Sequence, residues 1–137
     1  RDMFDIAAAE GGSDPIWERR LETQRTTIRA LHELGVLLLA GSDAGWRATA
    51  FDTFWKELDE LTICGLSPIE VIHAATGAVS AVLGTAAEFG TLQPGRTADI
   101  VAVAGNLDDD ITVLKNIEMV MQAGRFVGRG AWVTGDG

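Results

Sequence analysis

Apolar and polar positions recur with helical period through the first part of the chain. Trp17, Leu21, Ile28, Leu31 and Leu34 fall on or near one stripe, while Glu18, Arg19, Arg20, Glu22, Arg25 and Arg29 lie mostly elsewhere. That is the pattern of a helix with one buried face. Ahead of it, Ser13-Asp14-Pro15 supplies a capping carboxylate and a proline suited to the first helical position. Gly35 is a suitable stop. Residues 1–12 end in Gly11-Gly12 and read as a loop or helix end. Directly after Gly35 comes Val36-Leu37-Leu38-Leu39-Ala40, a continuous apolar run. A strand with one wet face would alternate, so this run predicts a strand covered on both faces, as in a parallel sheet. A helix followed by such a strand is a unit of an α/β protein.

At the end of the expected strand, Gly41 and Gly45 bracket one carboxylate in Gly41-Ser42-Asp43-Ala44-Gly45, and Trp46 follows. In α/β folds that end of a strand is where ligands and chemistry collect. A second helix is predicted over about residues 49–64, with Phe51, Phe54, Trp55, Leu58, Leu61 and Thr62 on its inner face and Gly65 closing it. Ser67-Pro68-Ile69-Glu70 has the form of a capping box with proline at the first position. It opens a helix with Ile72, Ala75 and Thr76 inward, which Gly77 interrupts before a further turn or two ending at Gly84.

Beyond Gly84 the texture changes to frequent glycines and β-rich runs. Pro94-Gly95 marks a turn, residues 98–104 and 117–122 read as strands, and Ala123-Gly124-Arg125 turns tightly into a return strand at Phe126-Val127. Between them, Asp108-Asp109-Asp110 caps one short helical turn through Leu114. The change in pattern places a boundary between residues 84 and 85, with no internal repeat on either side.

Composition adds limits. The 137 residues fit one ordinary domain of roughly 100–200 residues, and 47% hydrophobic with 23% charged residues is globular composition. The longest clean apolar run falls far short of the roughly 20 residues of a membrane helix, and no signal peptide is visible. A net charge of −9 argues against an electrostatic footprint on nucleic acid or anionic lipid. One cysteine, Cys64, excludes an intrachain disulfide and fits a reducing cytoplasm. With only His32 and His73, the chain cannot build a histidine-rich metal site by itself. The start at Arg1 suggests part of a longer protein.

Asp43 is the sharpest chemical candidate: its position suits metal binding or proton transfer, and equally a turn or helix cap. Trp46 either lines a pocket beside that loop or seals the strand end. His73 on a short helix, and His32 near a helix end, read as structural. Cys64 reads as a small buried hydrophobe. The acidic run at Asp108-Asp109-Asp110 lacks EF-hand spacing and reads as a cap. No Walker pattern, dinucleotide fingerprint or G-x-S-x-G elbow occurs, and Ser42 has no adjacent histidine to act as its base.

Taken together, these pieces carry a resemblance. Gly41-Ser42-Asp43-Ala44-Gly45 resembles the loop after the eighth barrel strand of the metal-dependent amidohydrolase superfamily. The stretch from Leu66 through His73 to Ala75-Thr76 resembles its helix ending in an Ala-Thr pair, and Gly90-Thr91-Leu92 through Ala98-Asp99-Ile100-Val101 its G-x-L-x-x-G-x-x-A-D-x-V signature. Residues 117–127, with Gln122-Ala123-Gly124-Arg125, resemble its closing hairpin. Within the superfamily, the resemblance is nearest to the imidazolonepropionase and Xaa-Pro dipeptidase-like branch.

The resemblance implies an α/β fold. Residues 1–84 would be the last strand and helices of a TIM-like (β/α)8 barrel, and residues 85–137 part of a small antiparallel β-sandwich. It implies a divalent metal, zinc being the expected one, with Asp43 both as metal ligand and as the carboxylate that handles the proton of the attacking water. The substrate would be an amide, cyclic amide or small peptide cleaved at a C–N bond. The family's other ligands, a His-x-His pair among them, have no counterpart here, and a full barrel takes roughly 250 residues. The chain is therefore expected to be a C-terminal fragment, inactive alone and without a tightly held metal. It is also expected to form a homo-oligomer through uncovered strand edges. The alternatives are a stand-alone non-catalytic module in which Asp43 merely forms a turn, and a half-enzyme completed by a partner chain.

Overall fold

The computed structural model describes residues 15–45 and 50–128. The expected loop at residues 1–12, the cap at Ser13-Asp14, Trp46, and the side chain of Trp17 lie outside the described residues.

Helix α1 spans Pro15–Glu33, with proline at its first position as the pattern predicts. Its end is a Schellman motif: Gly35 N–H donates to the His32 carbonyl (2.9 Å) and Val36 N–H to that of Leu31 (3.0 Å). Gly35 takes φ 73°, which its lack of a Cβ permits. Helix α2 spans Phe54–Ile63 and closes in the same way, through Gly65 and Leu66 N–H bonds to Thr62 and Leu61. It starts later than about residue 49, because residues 50–53 form a turn. There the Thr53 hydroxyl donates to the Ala50 carbonyl at 2.8 Å.

Arg25 of α1 grips Glu60 of α2 through two parallel bonds, Nε to Oε2 at 2.9 Å and Nη2 to Oε1 at 2.8 Å. Helix α3 spans Pro68–Ala75, and its capping box forms as expected. The Glu70 carboxylate accepts from the Ser67 amide (2.8 Å) and hydroxyl (2.6 Å). Thr76 breaks the helical path, and helix α4 continues over Gly77–Val82.

Three antiparallel strands follow in the order β1-β2-β3: Ile100–Val103, Ile117–Gln122 and Arg125–Gly128. Ile100 pairs with Met121 and Gln122 with Arg125. Ala123 and Gly124 turn the hairpin with φ of 48° and 76°, the left-handed pair that matches strand twist. A 3-10 turn, Ile111–Lys115, sits between β1 and β2. Asp110 caps it by accepting from the Thr112 amide (2.8 Å) and hydroxyl (2.9 Å), so the acidic run includes a capping residue as expected.

The expected strand at residues 36–40 requires correction. The segment is extended, but among the described residues it joins no sheet. Beyond the Val36 bond at the end of α1, Ala40 N–H donates to the Ala74 carbonyl of α3 at 3.1 Å. Val36, Leu37 and Leu39 are 46%, 59% and 43% exposed. The apolar run records the burial such a segment is suited to; a ladder also needs a neighbouring strand.

The core cluster is Leu58, Leu61, Cys64, Leu66, Val71 and Ile111, with Leu107 and Leu114 packed against it. Ile111, from beyond residue 84, thus shares a core with α2 and α3. A cleft of about 950 Å³ opens between the helices and the sheet, walled by Phe54, Trp55, Leu58, Val79, Ile100 and Ile117 among others. No helix among the described residues is long and apolar enough to cross a membrane.

Candidate functional site

Asp43 stands where the extended segment ends. Its φ is 47°, and Ala123 is the only other non-glycine residue with positive φ among the described residues. An L residue resists this region, but aspartate tolerates it better than most. Ser42 supports the turn: its Oγ accepts from the Ala44 amide at 3.2 Å. Gly45 then takes φ 95° and carries the chain onward. Asp43 is exposed, and its carboxylate has no hydrogen bond or ion pair to another described residue. Its exposure leaves the carboxylate accessible to a cation or a proton.

The donor set tests the expected metal. Among the described residues no three His, Cys, Asp or Glu side chains gather into a metal site. Asp43 fits one position in the shell of a divalent ion and no more, so the remaining ligands would have to come from outside these residues.

His32 Nε2 lies 3.9 Å from Glu70 Oε1. Both residues, with His73 and Val36, line a second cleft that does not include Asp43. Cys64 is 1% exposed, and burial, then the nearby Glu60, pushes its thiol pKa up. It is the buried hydrophobe the pattern suggested.

Phe51 is a residue the sequence pattern misplaced. Helical spacing put it on the inner face of a helix, yet it lies in the turn before α2 and is 83% exposed. Its ring tip is 3.7 Å from where a Cβ on Gly45 would stand, which puts an aromatic surface beside the Asp43 loop. Asp99, from the family signature, has a structural role: its carboxylate accepts from the Ala123 amide at 2.7 Å and steadies the hairpin turn.

Comparison with known proteins follows the same line. The sequence model of the amidohydrolase family matches residues 9–127. No curated protein matches the chain. Among solved structures, a Xaa-Pro dipeptidase with methionine bound in its active site is 32% identical, covering 77% of this chain and 25% of its own, with a TM-score of 0.71. A Bifidobacterium longum protein described as a candidate prolidase is 36% identical, covering 74% of this chain and 25% of its own, with a TM-score of 0.70. Phenylurea hydrolase B is 29% identical, covering 76% of this chain and 26% of its own, at 0.64. The chain spans about a quarter of the length of these relatives. The chain belongs to the amidohydrolase family.

Proposed function

We propose that this chain is the C-terminal part of a metal-dependent amidohydrolase that cleaves C–N bonds in small peptides or related amides, and that Asp43 is its proton-handling carboxylate and a metal ligand. The observation that carries this is the placement of Asp43: an exposed carboxylate in a left-handed turn at the end of an apolar extended segment, in a chain of this family. Likeness to a Xaa-Pro dipeptidase favours a small peptide over other amides.

In this reading residues 1–84 complete a (β/α)8 barrel and residues 85–137 contribute to a β-sandwich. Asp43 accepts a proton from water as the water oxygen bonds to the carbonyl carbon. It then delivers that proton to the nitrogen as the C–N bond breaks. A divalent metal, zinc being the expected one, would be held in part by Asp43, and when bound it supplies Lewis acidity that makes water reactive near neutral pH. Phe51, beside the loop, offers an apolar surface for the substrate. The exposed Val36, Leu37 and Leu39 and the open cleft support a further part of the proposal: the isolated chain associates with itself or with the rest of the enzyme.

The test is Asp43→Asn in the complete enzyme, with fold checked by circular dichroism. Loss of about 100-fold or more in kcat is the expected result; near-normal turnover overturns the role. The isolated 137-residue chain is expected to lack activity and to elute as a dimer or larger. Hydrolysis with stoichiometric zinc by that chain alone would sink the fragment reading, and a compact monomer the association.

A further inference from the structure

We propose that Ser42 is the positioning residue of the Asp43 site: its hydroxyl closes the turn that keeps Asp43 left-handed and its carboxylate exposed. The inference rests on the reading of Asp43 given above and adds a residue to it.

Among the described residues two turns place a non-glycine residue at positive φ, one at Asp43 and one at Ala123. In each, a side-chain oxygen holds a backbone amide of the turn. Asp99 Oδ1 accepts from the Ala123 amide at 2.7 Å, and Ser42 Oγ accepts from the Ala44 amide at 3.2 Å. The parallel indicates that left-handed backbone here is held by a side-chain acceptor and does not rest on the tolerance of the residue alone.

Glycine at position 43 would relieve the backbone but carry no carboxylate, so the site needs both an acidic residue and a device that fixes its turn. Ser42 is half-buried between two exposed neighbours, Gly41 and Asp43. Its hydroxyl therefore faces the turn it closes while the carboxylate stays accessible. The mooring of Ala40 to Ala74 fixes the segment upstream, which leaves the Ser42 bond to set the direction of Asp43 itself.

The experiment compares Ser42→Ala, Ser42→Thr and Asp43→Asn in the complete enzyme, with kcat and KM measured across pH. Misplacing a reacting group by about 1 Å costs up to about 100-fold in rate, so Ser42→Ala is expected to lower kcat about 10- to 100-fold. KM and the pH profile should change little. Ser42→Thr, which keeps the acceptor, should restore most of the rate. Ser42→Gly, which loosens the turn without supplying an acceptor, repeats the test should the alanine variant fold poorly. Wild-type kcat in Ser42→Ala with Asp43→Asn inactive overturns the role of Ser42 and leaves that of Asp43 standing. Equal losses in the alanine and threonine variants overturn it as well. Wild-type kcat in Asp43→Asn removes the underlying reading.

Discussion

The Ala40 amide donates to the Ala74 carbonyl at 3.1 Å, and this bond moors the segment carrying Asp43 to the end of α3. The last carbonyls of a helix have no partner within it. One of those on α3 finds its partner in the segment that leads into the candidate site, so the helix end and the site are fixed together.

The turn at Asp43 separates the effect of charge from that of backbone. Asparagine tolerates left-handed φ about as well as aspartate, whereas alanine does not. In the isolated chain, Asp43→Asn is expected to change stability by less than about 0.5 kcal/mol. Asp43→Ala should cost about 1–2 kcal/mol. Urea unfolding reads both, and equal effects would contradict the positive φ as a source of strain.

Leu58 is 3% exposed and Ile111 is 3% exposed, and both lie in one cluster. Truncating either to alanine is expected to cost about 2–5 kcal/mol. Because the cluster joins residues on both sides of position 84, the loss should appear as a shift of one cooperative transition. Two separate transitions would show that the parts unfold independently.

Glu70 is held below the usual carboxylate pKa by the Ser67 hydroxyl, then by the Ser67 amide, with a smaller contribution from His32. A carboxylate whose folded pKa is depressed binds protons more readily when unfolded. It therefore stabilises the fold above its unfolded pKa, near 4.5, and that contribution fades as pH falls through the lower folded value. Glu70→Gln should lower the melting temperature at pH 7, and the gap to the parent should close on acidification below about pH 4.5. A gap that persists at low pH would assign the effect to something other than this cap.

Burial and a raised pKa keep the Cys64 thiol protonated and out of reach. Alkylation by iodoacetamide at pH 7 is expected to be negligible in the folded chain and rapid in denaturant. Fast labelling of the native chain would show that the core around Cys64 opens.

Local chemistry was the legible part of the sequence. Pro15 and Gly35 bound α1, Ser67 and Glu70 cap α3, and the strand at residues 117–122 has the bounds the pattern gave. Each of these depends on neighbours a few residues away. What the pattern missed depends on distant partners. Residues 36–40 read as a sheet strand because apolar runs report suitability for burial, whereas a ladder is a property of two segments. Phe51 read as helical because its spacing agreed, while the Thr53 bond to Ala50 holds a turn there and the helix starts only at Phe54. At the site, the sequence singled out Asp43. It did not show the left-handed turn or the Ser42 bond, because neither leaves a periodic signal.

The open cleft between helices and sheet has a thermodynamic consequence. Apolar walls already in contact with water contribute nothing new to hydration when the chain unfolds. The heat-capacity increment of this chain should therefore fall below the usual 12–15 cal/mol/K per residue, roughly the range for well-packed domains, with a denaturant slope shallower than its length would suggest. A ligand or polypeptide that fills the cleft would raise both, so calorimetry can detect the occupant without any assay of catalysis.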